Sequence, residues 1–464
     1  MTIHINTMKQ LLSFLTILLM LVSCRDDDFG NGSTSTLQPV AYQVEVSYEK
    51  SVYGNQHTKK ATVVMTNNNS GDTYTLDTDA NGYANFQNVI PGTYKITVSK
   101  KMLADEFLAT FGYQSASAEM SFNGVQENAI ISANIQKTSV EVKGARVGDL
   151  LIKQIYYAGS HAIQGASFRD QFIEIYNNSD QVIYADGLYI GQLYGKVNTA
   201  TNNTYSQANG QFDWSKSIGM TVGNAANTDY AYADYVLRIP GNGTQYPILP
   251  GGSIVIAQNG VNHKSPLVDN TGNPINIQNP ALTVDLSTSN FEVYLGDYNL
   301  SIGQPVYKFD IQNPAVPDMK IAYWGRTGYW SPNNDFIMDN LGRDSFVIFR
   351  VDDLDALPDY SDPSVVTVNS NTRYFKQIPN SAIIDGVDLQ HNNPNSQRPK
   401  MLSASIDAAS IACDGAFNSQ AVIRKTKELV DMPNNGGKRR VLADTNNSAN
   451  DFVKQTANPR GFQQ

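Results

Sequence analysis

Between residues 41 and 138, apolar and polar residues alternate in short runs, and each run stops at Gly, Asn or Pro. The runs are AYQVEVSYEK (41–50), KATVVMTN (60–67), DTYTLDT (72–78), GYANFQNV (82–89), GTYKITVSK (92–100), SAEMSF (117–122) and ENAIISANIQKT (127–138). Alternation with period two puts the apolar residues on one face of an extended chain. So many short strands within about 100 residues predict an antiparallel sandwich.

The rest of the composition agrees with an all-β chain built for the outside of a cell. Tyr is abundant (25 residues) and only 17% of residues are charged. Asn and Gly supply turns, and Tyr and Thr suit strands. The net charge of −9 argues against nucleic acid as a partner, because that needs basic surface to displace counterions from phosphate. The one basic run, GGKRRVL (436–442), is short and isolated.

At the N-terminus, LLSFLTILLMLVSC ends at Cys24. Its apolar part is about 13 residues long, too short to span a bilayer and right for a signal peptide. Lys9 gives the positive flank, with Met1 or Met8 as the start. LVSC resembles the lipobox of bacterial lipoproteins, which implies a signal at 1–24 and an acylated Cys24. The following Arg25, Asp26, Asp27 and Asp28 resemble the export signal of Bacteroidota lipoproteins displayed on the outer face of the outer membrane. Residues 25–38 then read as a flexible tether. With Cys24 acylated, Cys413 has no partner, and no disulfide framework is expected.

Two resemblances divide the remainder. TDANGYANFQNVIPGTYKITV (78–98) is similar to the carboxypeptidase-regulatory-like, prealbumin-type sandwich, with Gly82, Phe86, Val89, Pro91, Gly92, Tyr94, Ile96 and Val98 on its pattern. This implies a first domain at 39–142, with Asn81-Gly82 as a tight hairpin turn. FIEIYNNSD and the following IYADGLYI (172–190) resemble the lamin-tail domain, an Ig-like sandwich. Phe172, Ile173, Glu174, Ile175, Asn177 and Gly187 match, while Leu188 replaces a frequent Trp. YPILPGGSIVIAQNG (246–260), SNFEVYLGD (289–297) and RRVLADTNNSANDFV (439–453) continue that likeness in order. The second domain, 146–464, is then a sandwich carrying long insertions at 192–245, 261–288, 300–340 and 352–435. The whole layout resembles a family of Bacteroidota outer-membrane lipoproteins with no assigned function.

Candidate chemistry is sparse. Asp77, Asp79, Asn81 and Gly82 open like an EF-hand loop, but the twelfth position is Asn88 instead of a bidentate Glu. The stretch reads as a turn, and neither a metal site nor a cofactor is expected. His57, His161, His263 and His391 stand far apart in polar contexts, outside any zinc spacing. Glu174 belongs to the fold signature. The aromatic residues Tyr323, Trp324, Tyr329 and Trp330 surround Arg326 inside an insertion, and Trp214 lies in another. Such side chains either contact a ligand or partner, or cover sandwich edges. The expectation is a non-enzymatic surface lipoprotein, held to the membrane by its lipid. It would capture a ligand or serve as accessory subunit of a TonB-dependent outer-membrane transporter. An adhesive or structural surface protein, or a hydrolase with an unrecognised site, are the alternatives.

Overall fold

The computed structural model describes residues 38–464 except 113–118, 147–149, 181, 197–203, 326–334 and 432–436. Cys24, the run Arg25 to Asp28, and Arg326, Tyr329 and Trp330 lie outside the described residues.

The N-terminal unit contains strands β1 (Val40–Tyr48), β2 (Thr62–Asn67), β3 (Thr73–Asp77), β4 (Tyr83–Val89), β5 (Gly92–Leu103), β6 (Glu119–Ile131) and β7 (Lys137–Arg146). Their order is β3-β2-β5-β6-β7-β1-β4. Burial alternates along β1 and β5, so one face of each sheet meets the core and the other meets solvent. Tyr42, Val44, Val46, Val63, Ile96 and Val98 fill that core. The runs expected at 117–122 and 127–138 are not two strands, because β6 continues through 123–126 and turns at Ser132–Ile135.

The turn at Asp79 differs from the expected hairpin. β3 pairs with β2, and β4 pairs with β1, so the chain passes here between the two edge strands of the order and does not fold back on itself. Gly82 alone of the Asn81-Gly82 pair is left-handed, at φ 82°. A Cβ there would sit 2.7 Å from the Val46 carbonyl, so glycine is required. The Asp79 carboxylate accepts from the Asn81 and Tyr83 amides at 2.8 and 2.9 Å. It is a local turn cap.

The second unit is a sandwich of two sheets. In the back sheet the order is Phe291–Glu292, Ser253–Ala257, β9 (Phe172–Asn177), β8 (Leu150–Tyr156), Gln420–Arg424 and Phe452–Thr456. The front sheet runs Asp359–Tyr360, Phe375–Pro379, Tyr230–Arg238, Tyr189–Leu193, Ser345–Phe349 and Ile383–Asp388, with Lys320–Trp324 also on Tyr230–Arg238. Ile152, Ile155, Ile173, Ile175, Leu237, Phe346 and Ile348 meet between them.

The stretches expected as insertions are therefore part of the sandwich. Tyr230–Arg238, Lys320–Trp324, Phe375–Pro379, Ile383–Asp388 and Gln420–Arg424 all come from them. Other parts cover the outer faces: Val284 and Leu286 lie on the back sheet, and Leu354, Leu402 and Ile406 on the front. With both faces covered, β8 and β9 are buried at every position and do not alternate.

Two buried ionic groups lock the elements together. Arg424, 2% exposed, bonds the Ile152 carbonyl at 3.0 Å, Asp385 at 2.6 Å and Asp444 at 3.4 Å, and lies 3.5 Å from Asp451. Burial and the nearby Asp444 push Asp385 up to about 7 against the pull of Arg424. On the other face of β8, a bulge between Ile152 and Gln154 lets both Lys153 and Gln154 reach Glu174. Lys153 Nζ lies 2.8 Å from Glu174 Oε1 and 3.8 Å from the Phe462 ring centroid. The Arg460 amide and Ser253 hydroxyl also donate to Glu174. Glu174 thus holds residues 460–462 to the back sheet, and its structural role follows from this geometry.

Glu174→Gln leaves the Lys153 amine buried without its countercharge, and should cost about 3–5 kcal/mol in urea unfolding. A cost under about 1 kcal/mol sinks this assignment. A pH profile tests the buried acids. Burial pushes Asp170 and Asp344, like Asp385, up to about 7. The folded state then holds protons that the unfolded chain has released, so their contribution is full below about pH 4 and is lost as pH rises through 7. His263, which burial pushes down to about 4, acts oppositely below its ordinary range, but it is one group against these acids and the similarly raised Glu292, Asp310 and Asp335. The melting temperature should fall by about 5 °C from about pH 5.5 to 8. A rise over that range contradicts the reading.

Candidate functional site

β6 and β7 pair only at Met120–Asn123, after which β7 leaves to run parallel to β1. Gly124 sits at this divergence, where a Cβ would lie 2.6 Å from the Glu141 carbonyl. The opened sheet edge faces the second unit. Asn123 Nδ2 donates to the Thr445 carbonyl at 3.2 Å, and Lys143 reaches Asp229 at 3.4 Å. Beside Asn123 and Lys143 lies a cleft of about 680 Å³.

Asn68, Lys95, Glu127, Asn128, Glu141 and Lys143 line one wall, from the first unit. The other wall presents Tyr194, Gln207, Asn209, Gln211, Trp214 and Tyr230, with Gln390, Gln397 and Lys400 at one end. Charges of both signs occur, and Lys95 pairs with Glu127 at 3.0 Å. What dominates is carboxamide and aromatic surface.

The aromatic wall is rigid because its rings stack on one another. Trp214 lies on Tyr232 with centroids 3.7 Å apart, and Tyr194 lies on Phe375 at 3.7 Å. Trp214 is 4% exposed. One of its faces lies on Tyr232, and Tyr194, Phe212 and Phe375 close round it in T-shaped contacts. Tyr194 and Tyr230 are the half-buried rings at the cleft, Tyr194 with a face taken by Phe375. Gln211 ties three loops behind this wall: its Oε1 accepts from the Lys196 and Phe212 amides, and its Nε2 donates to the Pro399 and Lys400 carbonyls.

The loop 398–402 is held by a third buried ionic group. Arg398 donates to Asp388 at 2.9 Å and Ser345 at 2.6 Å, while Lys400 reaches Asp388 at 3.0 Å. Burial raises Asp388, but Lys400 and Arg398 outweigh it and hold the carboxyl well below the usual range. The cationic ends of both residues are thus committed to Asp388.

The aromatic residues expected to act together do not converge. Tyr323 and Trp324 are neighbours on a strand, so they point to opposite faces. Tyr323 packs on the outer side of the front sheet and donates to Asp359 at 3.1 Å. Trp324 turns inward and stacks on Tyr235 at 4.8 Å. Trp214 belongs to a third cluster, and alone of these three it borders the cleft. The histidines stay apart: His263 is buried against the Asn259 carbonyl, and His161 and His391 accept from turn amides. Cys413 is buried, which pushes its thiol up to about 12. The carboxamides were missed in the sequence, where Asn and Gln read as turn composition.

Residues 249–459 match the model of a family described as Protein of unknown function (DUF4876). The chain is similar to the crystal structure of a DUF4876 family protein from Bacteroides thetaiotaomicron VPI-5482. The identity is 25% and the TM-score 0.50, covering 89% of this chain and 95% of that one. That likeness runs through both sandwiches. A protein from Bacteroides ovatus ATCC 8483, provisionally described as an adhesin, overlaps at 10% identity and a TM-score of 0.17, over 33% of this chain and 54% of its own. An overlap that loose carries no inference. No curated protein matches the chain.

Because Trp214 is buried among four rings and Tyr230 is half-buried, Trp214→Ala should destabilise the second unit by about 3–5 kcal/mol, whereas Tyr230→Ala should cost about 1 kcal/mol. Equal costs in urea unfolding would contradict the division between wall and contact.

Proposed function

We propose that this chain is a surface lipoprotein that captures a neutral polar ligand, of oligosaccharide type, in the cleft between its two sandwiches. The observation that carries this is the lining: carboxamides and the half-buried rings of Tyr194 and Tyr230, of which Tyr230 is not stacked on another described ring, with Lys95 and Glu127 paired. Carboxamides both donate and accept, as sugar hydroxyls do, and an aromatic ring offers a face to sugar C–H groups. A phosphate or nucleotide ligand would call for cations free to reach it, whereas Arg398 and Lys400 are engaged by Asp388.

The motif at Cys24 supports an acylated anchor, and Arg25 to Asp28 support display outside the outer membrane. A binding role without chemistry suits a pocket whose parts are all recognition groups. Handing the ligand to a TonB-dependent transporter is the extension of this reading, and adhesion to a glycan surface is its alternative.

Calorimetric titration of the full chain with soluble oligosaccharides, chosen from a glycan array, tests the proposal. Saturable binding is expected, weakened about tenfold or more by Tyr230→Ala, consistent with loss of one aromatic contact. Absence of saturable glycan binding, or binding that Tyr230→Ala leaves unchanged, overturns it. Co-purification from solubilised outer membranes then separates the two roles: a transporter barrel favours hand-over, and its absence favours adhesion.

A further inference from the structure

We propose that the second sandwich holds a calcium ion between the Asp310 and Asp335 carboxylates and the side-chain carbonyl of Gln258. Asp310 is 1% exposed, and Asp335 is fully buried. Each commits one oxygen to the protein. Asp310 Oδ2 accepts from the Leu295 amide at 2.9 Å, and Asp335 Oδ2 accepts from Gln258 Nε2 at 2.8 Å. The second oxygen of each carboxylate has no hydrogen-bond partner. Gln258 is itself 1% exposed, and the carbonyl end of the amide that touches Asp335 is also without a partner.

Buried oxygens are ordinarily satisfied, and three unsatisfied ones in two contacting side chains and a neighbour call for a missing cation or proton. Asn259 brings the two carboxylates together: its Oδ1 accepts from the Ile311 amide at 2.7 Å, next to Asp310, while the adjacent Gln258 holds Asp335. Burial first, and then the Asp335 charge, raise Asp310. The cation nearby is Arg169, which packs on the Phe309 ring at 4.1 Å and offsets Asp335 only in part. Glu292 adds negative charge, but both of its oxygens are taken by the Gly260 and Asn313 amides. One turn into helix Gly296–Ser301, which starts beside Leu295, Asn299 is 1% exposed with neither end of its amide partnered.

The donors are all carboxylate or carboxamide oxygens, which select a hard cation. Calcium accepts irregular coordination and carboxamide ligands, whereas magnesium demands a near-ideal octahedron. Among the described residues no three His, Cys, Asp or Glu side chains gather as a metal cage. With two carboxylates, the affinity belongs to the weak extracellular class, about 0.1–1 mM.

The test uses the full chain stripped with EDTA. Calcium at saturating concentration should raise the melting temperature by about 4 °C or more, with magnesium ineffective at equal ionic strength. Terbium luminescence should rise on binding and be competed by calcium. Asp310→Asn and Asp335→Asn should lose the calcium shift while melting in EDTA at or above the wild-type temperature, since each removes a repulsive charge. If a variant does not fold in EDTA, Gln258→Glu serves instead: it adds a charge to the donor set and should lower the half-saturating calcium at least threefold. No shift in the wild-type chain means that the two acids share a proton, and overturns the proposal. A shift that survives in both Asn variants, or half-saturation that Gln258→Glu leaves unchanged, places the ion elsewhere and overturns it equally.

Discussion

A single buried guanidinium organises the second sandwich. Arg424 has three carboxylates around it, and they come from separate parts of the chain: Asp385 from a front-sheet strand, and Asp444 and Asp451 from the segment before the last strand. Its Nε also caps the Ile152 carbonyl in the back sheet. A charge in such a place is tolerable only when every partner is in position. The two sheets therefore cannot slide relative to one another without stranding it. The DTNNSANDF segment owes its form to this need: Asp451 accepts from the Thr445 and Asn447 amides, and Ser448 bonds Asp407. Asp407 in turn accepts from the Asp388 amide, linking Arg424 to the Arg398 and Lys400 group that holds the cleft loop.

The same segment fastens the two units together. The Thr445 carbonyl points away from Arg424 and receives Asn123 and Ser121 from the first sandwich. The cleft is thus framed by rigid parts: an ionic group on one side and stacked rings on the other. Binding groups on such a frame lose little freedom when a ligand enters, which favours affinity without rearrangement.

How much of this was readable in the sequence follows from where water reaches. In β1 to β5 one face of each strand is wet, so alternation shows, and the strands from 41 to 100 stand out. Tyr230–Arg238 reads YAYADYVLR and is buried throughout its middle, with sheet contacts on both edges and cover on both faces. Such a strand has no period to detect, and it passed for insertion. The Asp79 turn was readable as a turn, but its partner strands were not, because pairing is decided by residues far along the chain. The aromatic pair at 323–324 misled because adjacency in sequence means opposition in a strand. The cleft could not be seen at all: it exists where β7 parts from β6 and faces a loop some 270 residues further on.

The position of Glu174's partners in the chain also bears on the order in which the molecule can form. Arg460 and Phe462 lie far along the chain from β9, and Arg460 is separated from Glu174 by 286 positions. Until those residues have left the ribosome, β8 and β9 carry a buried-type ion pair and an apolar face with nothing to cover them. The first sandwich contains all of its own strands within residues 40–146 and can close early. The second cannot close before residues 460–462 are made, so its folding is dominated by distant contacts, which makes it slow and exposed to aggregation. A cut that removes Arg460 and Phe462 is thus a folding lesion in the middle of the back sheet, and a chain interrupted before them would be marked for removal by the surface it leaves bare.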